Sequence, residues 1–178
     1  MPRYVALLRG VNVGGRGRMA MADLRACAEG AGFADVATHI QSGNVLFRTP
    51  MRSAEKVAVA LEGAVEAGLG FRTSAMVRTA AQLTAALEAR PFPDADPATL
   101  HIAFLRDAPA AAAAAAFTAP PGPDEAAVIG SEVHLRYADG MGRSKLTGAF
   151  IEKALGVPAT ARRRNVVETI RDLLRAGA

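Results

Sequence analysis

The sequence has few cysteines, few aromatic residues and no long apolar run, and each shortage excludes a class of protein. Its 178 residues contain one cysteine, Cys27, which excludes an intramolecular disulfide framework and a cysteine-based zinc cluster. Only 5% of the residues are aromatic, which weakens the case for a base-stacking RNA module. No apolar run approaches the roughly 18 residues of a membrane-spanning helix, and the first residues do not resemble a signal peptide. We therefore expect a cytoplasmic protein with no membrane partner.

Lysine is also scarce, since only Lys56, Lys145 and Lys153 accompany the arginines among 21 basic residues. Arginine in place of lysine, with abundant alanine, suggests a GC-rich coding bias and by itself says nothing about nucleic acid. The distribution of charge is more informative. Residues 1–48 carry six arginines against three acids, and residues 160–178 carry five against two, so each end has a surplus of +3. If the two ends meet in space, they form a face that attracts anions.

The first part of the chain predicts a ferredoxin-like unit. Its apolar pattern gives the order strand, helix, strand, strand, helix, strand, which is the split βαβ arrangement. The predicted strands cover residues 4–8, 35–40, 44–47 and 71–77. The first helix begins near Met21, and Ser53 is a plausible cap of the second.

The second part of the chain predicts a related but less regular unit. Its elements are a helix from Thr79, a strand over 100–105, an alanine-rich helix from Pro109, a hairpin about Gly130-Ser131, and helices over 144–155 and 163–176. We expect an α+β fold with units over 1–78 and 79–178 that pack as one compact body. Hydrophobic residues make up 51% of the chain, which supplies the core that such a body needs.

A glycine-rich segment, residues 10–17, follows the first predicted strand. Gly10 and Gly15 have the spacing of a phosphate-binding P-loop, but Arg16 and Gly17 replace its lysine and its hydroxyl residue. Because the magnesium-binding hydroxyl is absent, a nucleotide hydrolase is disfavoured. Two interpretations stay open. The glycines serve a turn with positive φ angles, or backbone N–H groups before the helix favour an anion.

The split βαβ topology gathers polar residues at one edge of the predicted sheet. The first and third strands are antiparallel neighbours there, so the end of one lies beside the start of the other. A hairpin turn alone explains Ser-Gly-Asn at 42–44, but it does not explain an arginine at the end of the neighbouring buried strand. The candidate ligand-binding residues at this edge are Arg9, Asn12, Gly14, Gly15, Gln41, Ser42 and Asn44.

Segments 4–15, 40–45 and 142–146 resemble three signature segments of domain-of-unknown-function family 1697 (DUF1697). Residues 90–93 also resemble the Asn-Pro-Phe-like loop of that family. The resemblance covers essentially the whole chain, with the segments in the right order. It implies a bacterial α/β protein built on ferredoxin-like units, with no established activity.

The C-terminal part supplies a second group of candidate ligand-binding residues, namely Ser144, Lys145, Arg162 and Asn165. Ser144 is predicted to cap a helix, which leaves N–H groups at the helix start beside Lys145. Arg162 matches the C-terminal segment of the family, whereas Arg163 and Arg164 replace its usual Asn-Trp pair. We predict that Lys145 and Arg162 lie near the glycine-rich segment and complete one anion site with it.

Other catalytic arrangements find little support in the residues. His39, His101 and His134 lie in predicted strands without metal-ligand spacing, and Cys27 lies on an apolar helix face. We therefore expect no metal and no cofactor. The function predicted first is a binding module for a phosphate-bearing ligand, either a nucleotide or a nucleic-acid backbone. The alternatives are a small cofactor-independent enzyme that acts on an anionic substrate, and a module that binds a protein partner.

Overall fold

The computed structural model describes residues 1–13 and 18–177. It divides the chain into two compact units, one of Met1–Gln82 with Ile170–Ala178 and the other of Leu83–Thr169. The described residues form six α-helices and two four-stranded antiparallel sheets, so the fold is α+β. None of these helices is long and apolar enough to cross a membrane.

The first unit has the predicted ferredoxin-like arrangement. Its elements are β1 (Arg3–Leu8), α1 (Met21–Gly30), β2 (Ala34–His39), β3 (Asn44–Arg48), α2 (Ala54–Leu69) and β4 (Ala75–Arg78). The strand order is β2-β3-β1-β4, which places β1 and β3 side by side as expected. The fourth strand begins at Ala75, four residues later than the sequence pattern indicated.

The helix-facing side of this sheet carries the core of the first unit. Tyr4, Ala6 and Leu8 alternate along β1 and pack with α1 and α2 in one buried cluster. The Ser53 hydroxyl caps α2 by accepting from the Lys56 N–H at 3.3 Å, as predicted. The strand that precedes the glycine-rich segment is therefore anchored in the core of the first unit.

The second unit repeats the architecture of the first. It contains β5 (Leu100–Leu105), α4 (Ala111–Ala116), β6 (Glu125–Ile129), β7 (Glu132–Arg136), α5 (Gly148–Leu155) and β8 (Ala159–Arg163). Helix α3 (Ala80–Glu88) begins in the first unit and enters the second at Leu83, and helix α6 (Arg164–Ala176) begins in the second unit and enters the first at Ile170. The strand order is β6-β7-β5-β8, which is the β2-β3-β1-β4 order of the first sheet. The second unit is thus also ferredoxin-like, and its strand order is as regular as that of the first.

The two units have corresponding backbone hydrogen bonds at the end of their first strands, β1 and β5. In each, the last strand residue donates to the turn before the third strand, and the next residue donates to the residue before the fourth. The four bonds are Leu8 N to Gly43 O (2.8 Å), Arg9 N to Ser74 O (3.0 Å), Leu105 N to Ser131 O (2.9 Å) and Arg106 N to Pro158 O (2.9 Å). The end of the first strand is therefore built in the same way twice.

A glutamate on the helix that precedes the fourth strand of each unit reinforces this match. Glu62 Oε1 accepts from the Ala75 N–H at 2.7 Å, where β4 begins. Glu152 Oε1 accepts from the Ala159 N–H at 2.9 Å, where β8 begins. Each carboxylate thereby fixes the start of the fourth strand and satisfies a backbone donor.

Two sequence predictions for the second unit are wrong. Strand β8 was not predicted, because Arg162 and Arg163 break the apolar alternation typical of a strand. Ser144 does not cap a helix, since α5 begins only at Gly148 and the Thr147 hydroxyl caps it by accepting from the Phe150 N–H at 3.2 Å. The Ser144 hydroxyl is engaged elsewhere, as described below.

Candidate functional site

Asn12 holds together the segments that border the predicted site. Its Oδ1 accepts from the Met19 N–H at 2.8 Å, and its Nδ2 donates to Met19 O at 3.2 Å and to Gln41 O at 2.8 Å. The residue adopts a left-handed backbone with φ 55°, a conformation that asparagine tolerates better than most residues. One side-chain amide thus connects residue 12 to residue 19 and to the β2–β3 turn.

Asn44 holds the β2–β3 turn from beneath. It is fully buried, and its Nδ2 donates to His39 O at 3.0 Å and to Ser42 Oγ at 2.9 Å. Gly43 is needed in this turn, because its φ is +75° and a Cβ there would lie 3.0 Å from the Cβ of Val11. Asn44 and Ser42 therefore hold the polar edge in position.

The structure brings most of the predicted edge residues together. Leu7 pairs with Asn44 across β1 and β3, and Arg9, two residues later and just after the end of β1, is exposed. Gln41 is exposed, and its backbone carbonyl oxygen accepts a hydrogen bond from Asn12 Nδ2. Gly14 and Gly15 lie outside the described residues, as does the rest of 14–17, the second half of the glycine-rich segment.

A shallow depression lies beside residues 18–20, which immediately precede α1. It has a volume of about 500 Å³ and is lined by Asn12, Arg18, Met19, Ala20 and Gln41. The N-cap of α1 is Ala20, which offers no side-chain hydrogen bond to the first turn. Because the first N–H groups of a helix have no helical acceptor, an uncapped start presents donors and a positive dipole end.

The second group of predicted residues is not one cluster. Ser144 and Lys145 line a cavity of about 210 Å³ in the second unit, between the proline-rich segment 120–123 and residues 139–146. Neither Arg162 nor Asn165 is among the described residues that line it. The predicted approach of Lys145 and Arg162 to the glycine-rich segment depends on residues 14–17, which lie outside the described part of the chain.

Ser144 takes part in a network that shapes this cavity. Its hydroxyl donates to Asp124 Oδ2 at 2.5 Å and accepts from the Leu146 N–H at 2.9 Å. The other oxygen of Asp124 accepts from the Ala138 N–H at 2.8 Å. The Tyr137 hydroxyl donates to Leu146 O at 2.9 Å, and burial followed by the nearby Asp124 charge raises the pKa of Tyr137 to about 12. Sequence reasoning missed Asp124, although the proline run before it marks a fixed loop.

Arg162 is built into the fold. It is 8% exposed, and its Nη1 donates to Thr160 Oγ1 at 2.8 Å and to Ala161 O at 2.9 Å. Burial lowers the pKa of Arg162 to about 10. Its counterpart in the first unit is Arg78, since Arg78 pairs with Val5 as Arg162 pairs with Ile102. Arg78 is also buried and donates to the carbonyl group of the preceding residue at 3.0 Å. A buried arginine at the same place in both units indicates a role in packing.

The residues that replace the Asn-Trp pair of the family have different surroundings. Arg163 is exposed at the end of β8, whereas Arg164 is half-buried. Arg164 Nη2 donates to Leu87 O at 2.8 Å, and its Nε contacts Glu168 Oε1 at 3.2 Å. Arg164 thereby attaches the start of α6 to the end of α3. Asn165 is exposed on the first turn of α6, where its Oδ1 accepts from the Val166 N–H at 2.9 Å.

Two histidines of the second unit are buried without full hydrogen bonding. His101 Nδ1 and His134 Nε2 have no hydrogen-bond partner within the described structure. Burial lowers the pKa of His134 to about 4, and the Arg164 charge lowers it further in the same direction. Burial also lowers the pKa of His101. Both rings are therefore neutral near pH 7.

No group of three or more metal-ligating side chains comes together within the described ranges 1–13 and 18–177. The only cysteine, Cys27, is half-buried, and burial raises its pKa, which keeps the thiol protonated.

Comparison with known proteins places this architecture in a family. The chain is similar over 98% of its length, and over 99% of the other chain, to the structure of the conserved bacterial protein SP0830 from Streptococcus pneumoniae, with 23% identity and a TM-score of 0.74. This likeness supports the fold. No curated protein matches the chain. The family model described as "Protein of unknown function (DUF1697)" matches residues 1–134. The chain therefore belongs to the DUF1697 family.

Proposed function

We propose that this protein binds a phosphate-bearing ligand at the start of α1, where the glycine-rich segment ends. The observation that carries the proposal is the uncapped α1 N-terminus, which opens on a depression lined by Arg18. A phosphate suits such a place, because it accepts several hydrogen bonds from backbone N–H groups and its charge complements the helix dipole.

The neighbouring polar residues support this proposal by positioning the site. Asn12 fixes both Met19 and Gln41, so the two segments that border the depression are attached to each other. Arg9 and Arg18 are both exposed, and each adds positive charge to this end of the sheet. A hydrogen bond from a guanidinium group to a phosphate is stronger than one between neutral groups.

A nucleotide and a nucleic-acid backbone share the phosphate group, and salt dependence distinguishes them. Binding of nucleic acid releases counterions, so its affinity falls steeply as salt concentration rises. A mononucleotide held by one phosphate site depends on salt much less. Isothermal titration calorimetry with inorganic phosphate, a mononucleotide panel and a short RNA, each at two salt concentrations, separates the two ligand classes.

The same titrations test the site. Arg9→Ala and Arg18→Ala should each weaken binding by about 1.5–3 kcal/mol, the scale of a hydrogen bond to a charged group. The matched control is Arg175→Ala, which removes an exposed arginine from the last turn of α6. The proposal is wrong if the unsubstituted protein binds none of the phosphate compounds. An equal loss from Arg175→Ala would show that only net charge matters.

A further inference from the structure

The second unit contains a cavity whose lining carries charges of both signs. Asp124 and Asp139 contribute two carboxylates, and Arg143 and Lys145 contribute two cations. The formal charge of these four side chains therefore sums to zero. A ligand that is only an anion meets two carboxylates there, and one that is only a cation meets two basic groups.

The cavity is held by hydrogen bonds and has an apolar floor. Asp124 and Ser144 are joined across it at 2.5 Å, which attaches the proline-rich wall to the opposite loop. Leu146 is buried beneath, and its N–H and carbonyl groups are both bonded within the same network. Pro120, Pro121 and Pro123 in its wall are rigid residues that carry no N–H donor. The cavity is thus preformed, and part of its surface is apolar.

The volume restricts the size of an occupant. At about 210 Å³ the cavity is smaller than the roughly 300–1,000 Å³ of pockets for drug-sized ligands. A compact molecule with one positive group, one negative group and a short aliphatic part matches its size, charge and floor.

We propose that this cavity binds a zwitterionic small molecule of the size of a free amino acid, with the ligand carboxylate toward Arg143 and Lys145 and the ammonium group toward Asp139. The site is separate from the start of α1 and takes a different ligand class. It does not depend on the phosphate site proposed above, and either site can fail its test without affecting the other.

The proposal is tested by NMR titration of the full chain with three probes of one skeleton. Leucine carries both charges, leucinamide only the positive one, and N-acetyl-leucine only the negative one. We expect leucine to shift the backbone amide signals of residues 139–146, and each single-charge probe to bind at least about tenfold more weakly, the scale of one lost charge-assisted hydrogen bond. Equal binding of the three probes, or no shift with leucine, would overturn the proposal.

Charge-removing variants assign each end of the ligand. Lys145→Gln should weaken leucine binding and reduce the preference for leucine over leucinamide, since the missing cation no longer contacts a carboxylate. Asp139→Asn should also weaken leucine binding, and it should reduce the preference for leucine over N-acetyl-leucine, since the ligand ammonium group loses its carboxylate. Lys153→Gln on α5 and Asp107→Asn after β5 are matched controls at exposed positions outside the cavity. A control that loses binding as strongly as Lys145→Gln would contradict the assignment.

Discussion

Asn12 and Met19 are joined by a pair of hydrogen bonds in which one side-chain amide binds both polar groups of one backbone residue. The Met19 N–H donates to Asn12 Oδ1 at 2.8 Å, and Asn12 Nδ2 donates to Met19 O at 3.2 Å. Residue 12 is thereby fixed to residue 19, two residues before α1 begins. Any ligand at the start of α1 meets a border that the protein has already positioned.

Loss of this pair should destabilise the first unit measurably. Asn12→Gly removes three hydrogen bonds but keeps the left-handed backbone accessible, and each net bond is worth about 0.5–1.5 kcal/mol. Asn12→Ala removes the same bonds and adds the cost of φ 55° for a residue with a Cβ, about 1 kcal/mol more. The free energy of unfolding measured in urea should therefore be highest for the unsubstituted protein, lower for Asn12→Gly and lowest for Asn12→Ala. An Asn12→Gly free energy of unfolding equal to that of the unsubstituted protein would mean that the bonds contribute nothing.

Substitution of two glycines that have the same backbone angle distinguishes the cost of backbone strain from the cost of steric overlap. Gly10 and Gly43 both have φ +75°, but a Cβ on Gly10 meets no atom of residues 1–13 and 18–177 within 4 Å, whereas one on Gly43 meets Val11 Cβ at 3.0 Å. Gly10→Ala should cost about 1 kcal/mol from the backbone alone. Gly43→Ala should cost about 1–3 kcal/mol beyond that, the usual range for overpacking. Thermal unfolding measures the difference, and an equal loss in both variants would contradict the close contact between Gly43 and Val11.

His134 should make the protein sensitive to mild acid. Its pKa is about 4 in the folded state, against about 6.5 for an ordinary histidine, so protonation favours the unfolded chain. The contribution of the neutral ring is fully present above about pH 6.5 and is lost as pH falls from there toward 4. The shift corresponds to at most about 3 kcal/mol.

The measurement is the free energy of unfolding from urea titrations between pH 7.5 and pH 4.5, compared between the unsubstituted protein and His134→Gln. The fall in stability with decreasing pH should be smaller in His134→Gln, because one neutral buried histidine is gone. His39→Gln is the control, since His39 is half-buried in β2 and lies outside the second unit. Parallel curves for the unsubstituted protein and His134→Gln would show that His134 is not the group responsible.

Asp23 should oppose the proposed ligand. It lies in the first turn of α1, where a carboxylate interacts favourably with the same dipole end that an anion would occupy. Asp23→Asn removes this competing charge and should strengthen phosphate binding by about 0.3–1 kcal/mol, the usual worth of a charge at a helix end. Calorimetric titration with inorganic phosphate measures the change. Glu29→Gln in the last turn of α1 is the control, because it alters net charge equally at the other end of the helix.

The sequence was sufficient to predict the first unit and the meeting of β1 with β3. Alternating and continuous apolar runs identify strands 4–8 and 44–47, and the split βαβ order then places Arg9 beside the β2–β3 turn. Strand β8 was missed because two of its five residues are arginines, and the burial of Arg162 depends on tertiary packing that no local pattern encodes. The same limit applies to Ser144, whose hydroxyl bonds to Asp124, twenty residues away along the chain.

The most direct test of the phosphate proposal is a ¹H–¹⁵N NMR titration of the protein with inorganic phosphate and with the tightest-binding nucleotide from calorimetry. The backbone amides of Met21, Ala22 and Asp23 occupy the uncapped first turn of α1. They should show the largest saturable shifts, together with Arg18 at the border of the depression. Saturable shifts confined to other residues, with these amides unchanged, would contradict the account.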